Sequence, residues 1–183
     1  GSSLYENYLE SVIHFLKIIG ININTVPVLD KLSPLTHRFL KSRCFSNKNK
    51  TIDQLGKICL KTYAKNRIGN VIKHIPGHGC SNLDSHKKLP IVNKARKELL
   101  KNDFKRFKNN HSHFAMTAHI KYQKLDNRYV ATKSKFIIRD IIRKKLGYKG
   151  IIISDDLSMK ALKGNICDNA ILSLKAGCNL VLY

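Results

Sequence analysis

Three β-branched apolar residues, Ile151, Ile152 and Ile153, lead from Gly150 through Ser154 straight into the carboxylates Asp155 and Asp156. No turn residue separates the apolar run from the acids. Such a run, bounded by glycine, reads as a strand buried in a parallel sheet. In α/β barrels and open α/β sheets, the C-terminal ends of the strands carry the chemistry. Asp is also a good helix N-cap. Taken alone, these residues leave two roles open for the pair, chemistry and capping of a following helix.

The flanking chain narrows what this strand can belong to. Apolar residues at Leu9, Val12, Ile13, Leu16 and Ile19 predict a helix over 4–19, stopped by Gly20. A strand follows over Ile21–Val28, then a helix over Thr51–Lys65 with Thr51 and Asp53 as candidate caps. Val71 and Ile72 open a short strand that ends in a polar, glycine-bearing loop. Beyond it the pattern predicts a helix over 93–107, a strand over 114–120 and a helix over 134–146 ended by Gly147. After the Gly150 strand come a helix over 168–176 and a last strand from Asn179. Five strands alternating with helices are the pattern of a parallel sheet with crossover helices. With no repeat and no linker, residues 1–183 read as a single α/β domain. The longest irregular stretch, Pro76–Pro90, has the length of an active-site flap.

Composition limits the classes of function. A chain of 183 residues that is 43% hydrophobic can bury one sizeable core. No apolar run reaches the roughly 18–20 residues that cross a bilayer, and an N-terminus with Glu6 and Glu10 does not resemble a secretory leader. The five cysteines are odd in number and scattered, without a CxxC pair, which argues for reduced thiols in a cytoplasm and against a thiolate zinc site. The net charge of +22 is large. Its lysines are spread over the whole chain, which argues against nucleic acid as the main partner. The densest basic segment, Lys101–Lys108, holds Phe104 and Phe107 at helical spacing, the mark of an amphipathic helix.

Four strand ends carry polar groups: Lys73 and His74, the Asp84-Ser85-His86 loop, His119, and the Asp155-Asp156 pair. In a parallel barrel these ends converge on one rim. Asp84, two residues before His86, is placed to orient an imidazole for acid/base work, although a surface loop of ordinary polar residues would read the same way. His74 and His78 are four apart, and His111 and His113 two apart. Pro76 and Gly77 break the helical geometry the first pair would need for a metal, and no third ligand is evident, so no metal is expected.

These motifs together resemble glycoside hydrolase family 3. The run 141–158, Ile-Ile-Arg-Lys-Lys-Leu-Gly-Tyr-Lys-Gly-Ile-Ile-Ile-Ser-Asp-Asp-Leu-Ser, is similar to the family's active-site signature. Lys73-His-Ile-Pro-Gly-His-Gly79, followed by Asp84-Ser-His86, resembles the motif of its β-N-acetylhexosaminidases, cytoplasmic enzymes of peptidoglycan recycling. Ile75 stands where the family usually has Phe. Pro27–Asp30, Arg43–Ser46, Met116–His119, Ala131–Ser134 and Ala176–Leu182 match in family order. The resemblance implies a (β/α)8 TIM-barrel type of which this chain carries about five of eight strands, beginning just before the fourth and stopping in the eighth.

By the same resemblance the chain would be a retaining β-N-acetylglucosaminidase that removes terminal N-acetylglucosamine from peptidoglycan fragments. Asp155 would be the nucleophile, and His86 the acid/base, oriented by Asp84. Lys73, His74 and Arg43 would hold the sugar's hydroxyls. No cofactor is implied, and a partner chain supplying the missing strands becomes an expectation. The alternatives are a non-catalytic sugar- or nucleic-acid-binding remnant of the barrel and a metal-dependent hydrolase.

Overall fold

The computed structural model describes residues 2–110 and 112–183. His111, and with it half of the His111/His113 pair, lies outside them. In chain order the elements are α1 (Ser2–Ile18), β1 (Ile23–Asn24), α2 (Arg38–Lys41), α3 (Asn49–Lys65), β2 (Gly69–Ile75), β3 (Ile91–Val92), α4 (Arg96–Lys101), α5 (Lys105–Asn109), β4 (Phe114–Thr117), β5 (Lys121–Tyr122), a 3₁₀ turn (Ala131–Lys133), a π-helix (Ile137–Lys145), β6 (Ile151–Asp156), α6 (Ile166–Ala176) and β7 (Leu180–Leu182).

The sheet is all parallel, in the order β1-β2-β4-β6-β7. These are the five predicted strands, lying side by side in their sequence order, which is the arrangement of a curled part-barrel of the TIM type. Strands β3 and β5 pair separately as a small parallel ribbon, with Ile91 opposite Lys121. The main core fills the space between sheet and helices with Ile72, Ile75, Ile152, Phe104, Phe107 and the four buried isoleucines of the π-helix, among others. Burial on both faces is why β2 needs its apolar run, whereas β6 is covered on the face of Ile152 and Ser154 and more open at Ile151 and Ile153. A second cluster joins Leu9 and Ile13 of α1 to Cys59 and Tyr63 of α3.

Several boundaries differ from those expected. The predicted strand over 21–28 is regular only at Ile23–Asn24. Pro27 has no N–H to give, and pairing with β2 resumes as a single bridge at Val28, where the Lys73 N–H donates to the Pro27 carbonyl at 3.2 Å and the Leu29 N–H to the Lys73 carbonyl at 2.8 Å. Helix α3 starts at Asn49, with Lys48 as an N-cap that makes no side-chain cap bond. Thr51 and Asp53 therefore lie inside the helix, and Asp53 instead accepts hydrogen bonds from Asn109 and Asn110. The helix predicted over 93–107 is two short helices, broken at Asn102–Phe104, and both Phe104 and Phe107 reach the core. The helix predicted over 134–146 winds as a π-helix, with the Leu146 N–H bonded to the Ile141 carbonyl. Gly147 follows it at φ +70°, as the stop signal required.

Candidate active site

The C-terminal ends of β1, β2, β4 and β6 share one rim. Asp155 ends the buried part of β6, and no helix follows it until Ile166, so the capping role considered for the pair is not taken. Asp156 turns instead into a tight loop, its Oδ1 accepting the Ser158 N–H at 2.8 Å. That bond, with Ser158's side chain, holds the Asp156 carboxyl below its ordinary range. Asp155 is buried, and its Oδ1 accepts the Asp156 N–H at 2.9 Å. The two acids are thus sorted by their surroundings, one inward and one solvated.

At the end of β2, Lys73 and His74 are both buried. The Lys73 Nζ donates to Thr25 Oγ1 at 2.9 Å. Burial, then the neighbouring Arg43 charge, push its pKa down to about 8, against the opposing pull of Asp155 and Asp30. Arg43 itself is solvent-exposed and lines, with Lys73, a cavity of about 430 Å³ along residues 24–28.

The centre of this rim is a residue to which sequence reasoning gave no role, Asp30. It is fully buried; its Oδ2 sits 2.7 Å from His74 Nδ1 and 3.1 Å from the His74 backbone N, and its Oδ1 accepts the His78 N–H. A carboxylate can only accept, so His74 carries its proton on Nδ1 and leaves Nε2 free for a ligand. Burial works against the Asp30 charge, but the charge and hydrogen bonds of His74 and His78 hold its carboxyl below the usual range. The Pro27-Val-Leu-Asp30 match was the available signal, but nothing in the local sequence says that an acid 44 residues upstream meets His74.

The Pro76–Pro90 loop folds over the same rim. His86 Nδ1 lies 2.8 Å from Asp84 Oδ1, which also accepts the His86 backbone N–H at 3.0 Å. Partial burial opposes the Asp84 charge, yet those two bonds hold its carboxyl low. The His86 side chain is 55% exposed and Asp84's 12%. Nδ1 must be the protonated nitrogen, so Nε2 faces outward, able to give or take a proton. Between them Ser85 is buried, with its carbonyl accepting the Ala161 N–H at 3.0 Å and its Oγ 3.3 Å from His78 Nε2. Phe39 of α2, also missed, meets both His78 and His86 edge-on, each at 5.6 Å. Burial drives the His78 pKa down to about 4, so it stays neutral. Gly79 is required here, because a Cβ would sit 1.9 Å from the Lys31 carbonyl oxygen.

His119 lies beneath this layer, fully buried between the ends of β4 and β6. The electrostatic influence of Asp155 is felt at Lys73, His78 and His119, and that of His86 at Asp156. All the predicted site residues therefore meet at one rim, Arg43 at its outer edge. Among the described residues, no group of three or more His, Cys, Asp or Glu side chains is placed to hold a metal ion. No helix among them is long and apolar enough to cross a membrane.

A curled parallel sheet with acid, imidazole and lysine at its C-terminal rim is the frame of a barrel enzyme. Residues 10–183 match the glycosyl hydrolase family 3 N-terminal domain, and the chain belongs to that family. It is similar to beta-hexosaminidase A of Pseudoalteromonas piscicida, 32% identical over 91% of this chain and 31% of that protein. The beta-hexosaminidase of Haemophilus influenzae is 33% identical over 90% of this chain and 48% of its own length. Among solved structures, a family 3 beta-N-acetylglucosaminidase from a Paenibacillus species superposes with a TM-score of 0.93 at 26% identity, over 100% of this chain and 36% of that one. NagZ from Neisseria gonorrhoeae in complex with N-trifluoroacetyl-D-glucosamine superposes at 0.87 and 30% identity, over 99% of this chain and 52% of that one. The chain thus spans a third to a half of the length of these relatives.

Proposed function

We propose that residues 1–183 form one domain, the catalytic part of a retaining β-N-acetylglucosaminidase acting on terminal N-acetylglucosamine of peptidoglycan fragments in the cytoplasm. In this reading an Asp155 oxygen attacks the anomeric carbon as the glycosidic C–O bond breaks, and the departing oxygen takes the proton of His86 Nε2. His86 Nε2 then removes a proton from water, whose oxygen displaces Asp155 as a carboxylate. Asp84 fixes the imidazole's orientation and stabilises its charged form. Lys73, Arg43 and the free Nε2 of His74 bind hydroxyls.

The observation that carries the reading is the Asp84–His86 pair at 2.8 Å on the rim where buried Asp155 ends its strand. Family 3 membership and the likeness to beta-hexosaminidases support it. The remaining barrel strands, from whatever polypeptide supplies them, would close against β1 and β7. The test is hydrolysis of a chromogenic N-acetyl-β-glucosaminide, with mass spectrometry of the protein after a 5-fluoro glycosyl fluoride. Label on the peptide carrying Asp155, and a loss of about 1,000-fold or more in Asp155→Asn, are expected. Undiminished turnover in Asp155→Asn would remove that residue as nucleophile. Sugar binding with no hydrolysis would instead identify a binding remnant.

A further inference from the structure

His119 has no part in the chemistry above, yet it is one of the most constrained side chains in the molecule. It is buried, as are Thr117 and Thr132, the two hydroxyl residues that flank it. Its Nε2 lies 3.0 Å from the Asp156 carbonyl oxygen, and its Nδ1 lies 2.7 Å from Thr132 Oγ1. A carbonyl only accepts, so Nε2 carries the hydrogen. Burial, ahead of the opposing Asp155 charge, lowers the His119 pKa, so the ring is neutral and Nδ1 is a bare acceptor. The Thr132 hydroxyl must then donate to it, its 3.3 Å contact with the Ala118 carbonyl being the longer arm. Having spent its proton, Thr132 Oγ1 accepts from Thr117 Oγ1 at 2.8 Å. Every donor in this line has one direction: Thr117 to Thr132 to His119 to the Asp156 carbonyl.

The line ends on the backbone beside the proposed nucleophile. The Asp156 carbonyl also accepts the Met159 N–H at 3.2 Å, and the N–H of the same residue holds Asp155 Oδ1 at 2.9 Å. The carbonyl and the N–H of Asp156 lie on the two peptide units that meet at its Cα, so holding the carbonyl restricts ψ of Asp156 and steadies the residue whose N–H meets the Asp155 carboxylate. The turn that carries Thr132 opens the path into the π-helix, so the line ties β4, that turn and β6 together.

We propose that His119 is a positioning residue, which orients the Asp155 carboxylate by donating its Nε2–H to the Asp156 carbonyl from a tautomer set by Thr132 and Thr117. The effect on rate rests on the nucleophile assignment above, whereas the effect on backbone order does not.

Two substitutions separate the two ring nitrogens. The amide nitrogen of Gln can occupy the place of Nε2, and that of Asn only the place of Nδ1. In His119→Asn we expect kcat to fall by about 100-fold, the scale of a displacement of about 1 Å at the reacting atoms, with KM changed less than twofold. His119→Gln should recover kcat to within about fivefold of the parent. Amide hydrogen exchange, which needs no turnover, should be at least about tenfold faster at Asp156 in His119→Asn and near the parental rate in His119→Gln, while β2 and β4 amides keep their protection. Nitrogen-15 shifts of the His119 ring should report the Nε2–H tautomer. Should His119→Asn fail to fold, Thr132→Val removes only the hydroxyl, and faster exchange at Asp156 remains the expected result. Equal behaviour of the Asn and Gln variants, an Nδ1–H tautomer, or unchanged Asp156 exchange in Thr132→Val would each overturn the proposal. A parent protein without hydrolysis but with the expected exchange pattern would sink the enzyme reading and leave the positioning role standing.

Discussion

Lys73 and Asp30 both make stability rise with pH, in two separate windows. Lys73 has its pKa lowered from 10.5 to about 8, so it loses its charge in the folded state first. Between those values the unfolded chain binds more protons, and its contribution to stability rises with pH. Hydroxyl binding runs the other way, since the ammonium donor disappears. Affinity for N-acetylglucosamine, measured by calorimetry across pH 6–10, should drop around pH 8 in the parent, and that inflection should be missing in Lys73→Met. Asp30 has a lowered folded pKa, so its stabilisation is complete above its unfolded value of about 4 and is lost as pH falls through the folded one. Asp30→Ala leaves buried His74 and His78 donors unpaired and should cost about 3–5 kcal/mol in denaturant unfolding at neutral pH. A cost below about 1 kcal/mol would show that Asp30 is not the hub of the rim. The sequence displayed Lys73, His74, Asp84, His86 and Asp155 because each stands at a strand end or in a glycine-bearing loop. It hid Asp30 and Phe39, whose roles arise only when the loop after β1 folds across β2.

Elements were legible where a single local signal fixed them. Gly20 and Gly147 stop helices at positive φ, and the apolar runs of β2 and β6 sit where expected. Errors fell where tertiary contacts overrode local preference. The start of α3 carries no side-chain cap, and Asp53, an apparent cap, is taken by asparagines 56 and 57 residues away. The continuous 3.6-residue pattern through 93–107 concealed a break, since Leu99 of α4, Phe104 in the break and Phe107 of α5 all reach the core. The π winding over 137–145 has no proline or glycine to announce it. At this scale the Pro76–Pro90 loop depends on its contact with Lys31. Gly79→Ala should destabilise by about 1–3 kcal/mol through overpacking and, in the hydrolysis assay, lower kcat by displacing His86. A variant with parental melting temperature and rate would show that this contact relaxes freely.

Among the described residues, β1 and β7 are the two edge strands of the sheet. Ile23 of β1 is 44% exposed, and Leu180 and Leu182 of β7 are 48% and 41% exposed. Open strand edges with apolar side chains invite pairing with another chain, while a net charge of +22 opposes it. Added salt screens that repulsion over a Debye length of about 8 Å at physiological strength. Light scattering of residues 1–183 should therefore report self-association that increases with ionic strength. Association that instead weakens with salt would place charge, not the apolar rims, at the contact. The order of the sheet has a further consequence, for how the molecule is made. Because β1, β2, β4, β6 and β7 lie side by side as they occur in the chain, each β/α unit adds to the edge left by the one before it. No strand has to be threaded between two that are already joined. Sequential growth of this kind suits synthesis from the ribosome, where earlier segments emerge first, and it keeps the sheet extendable, one unit at a time, from either rim.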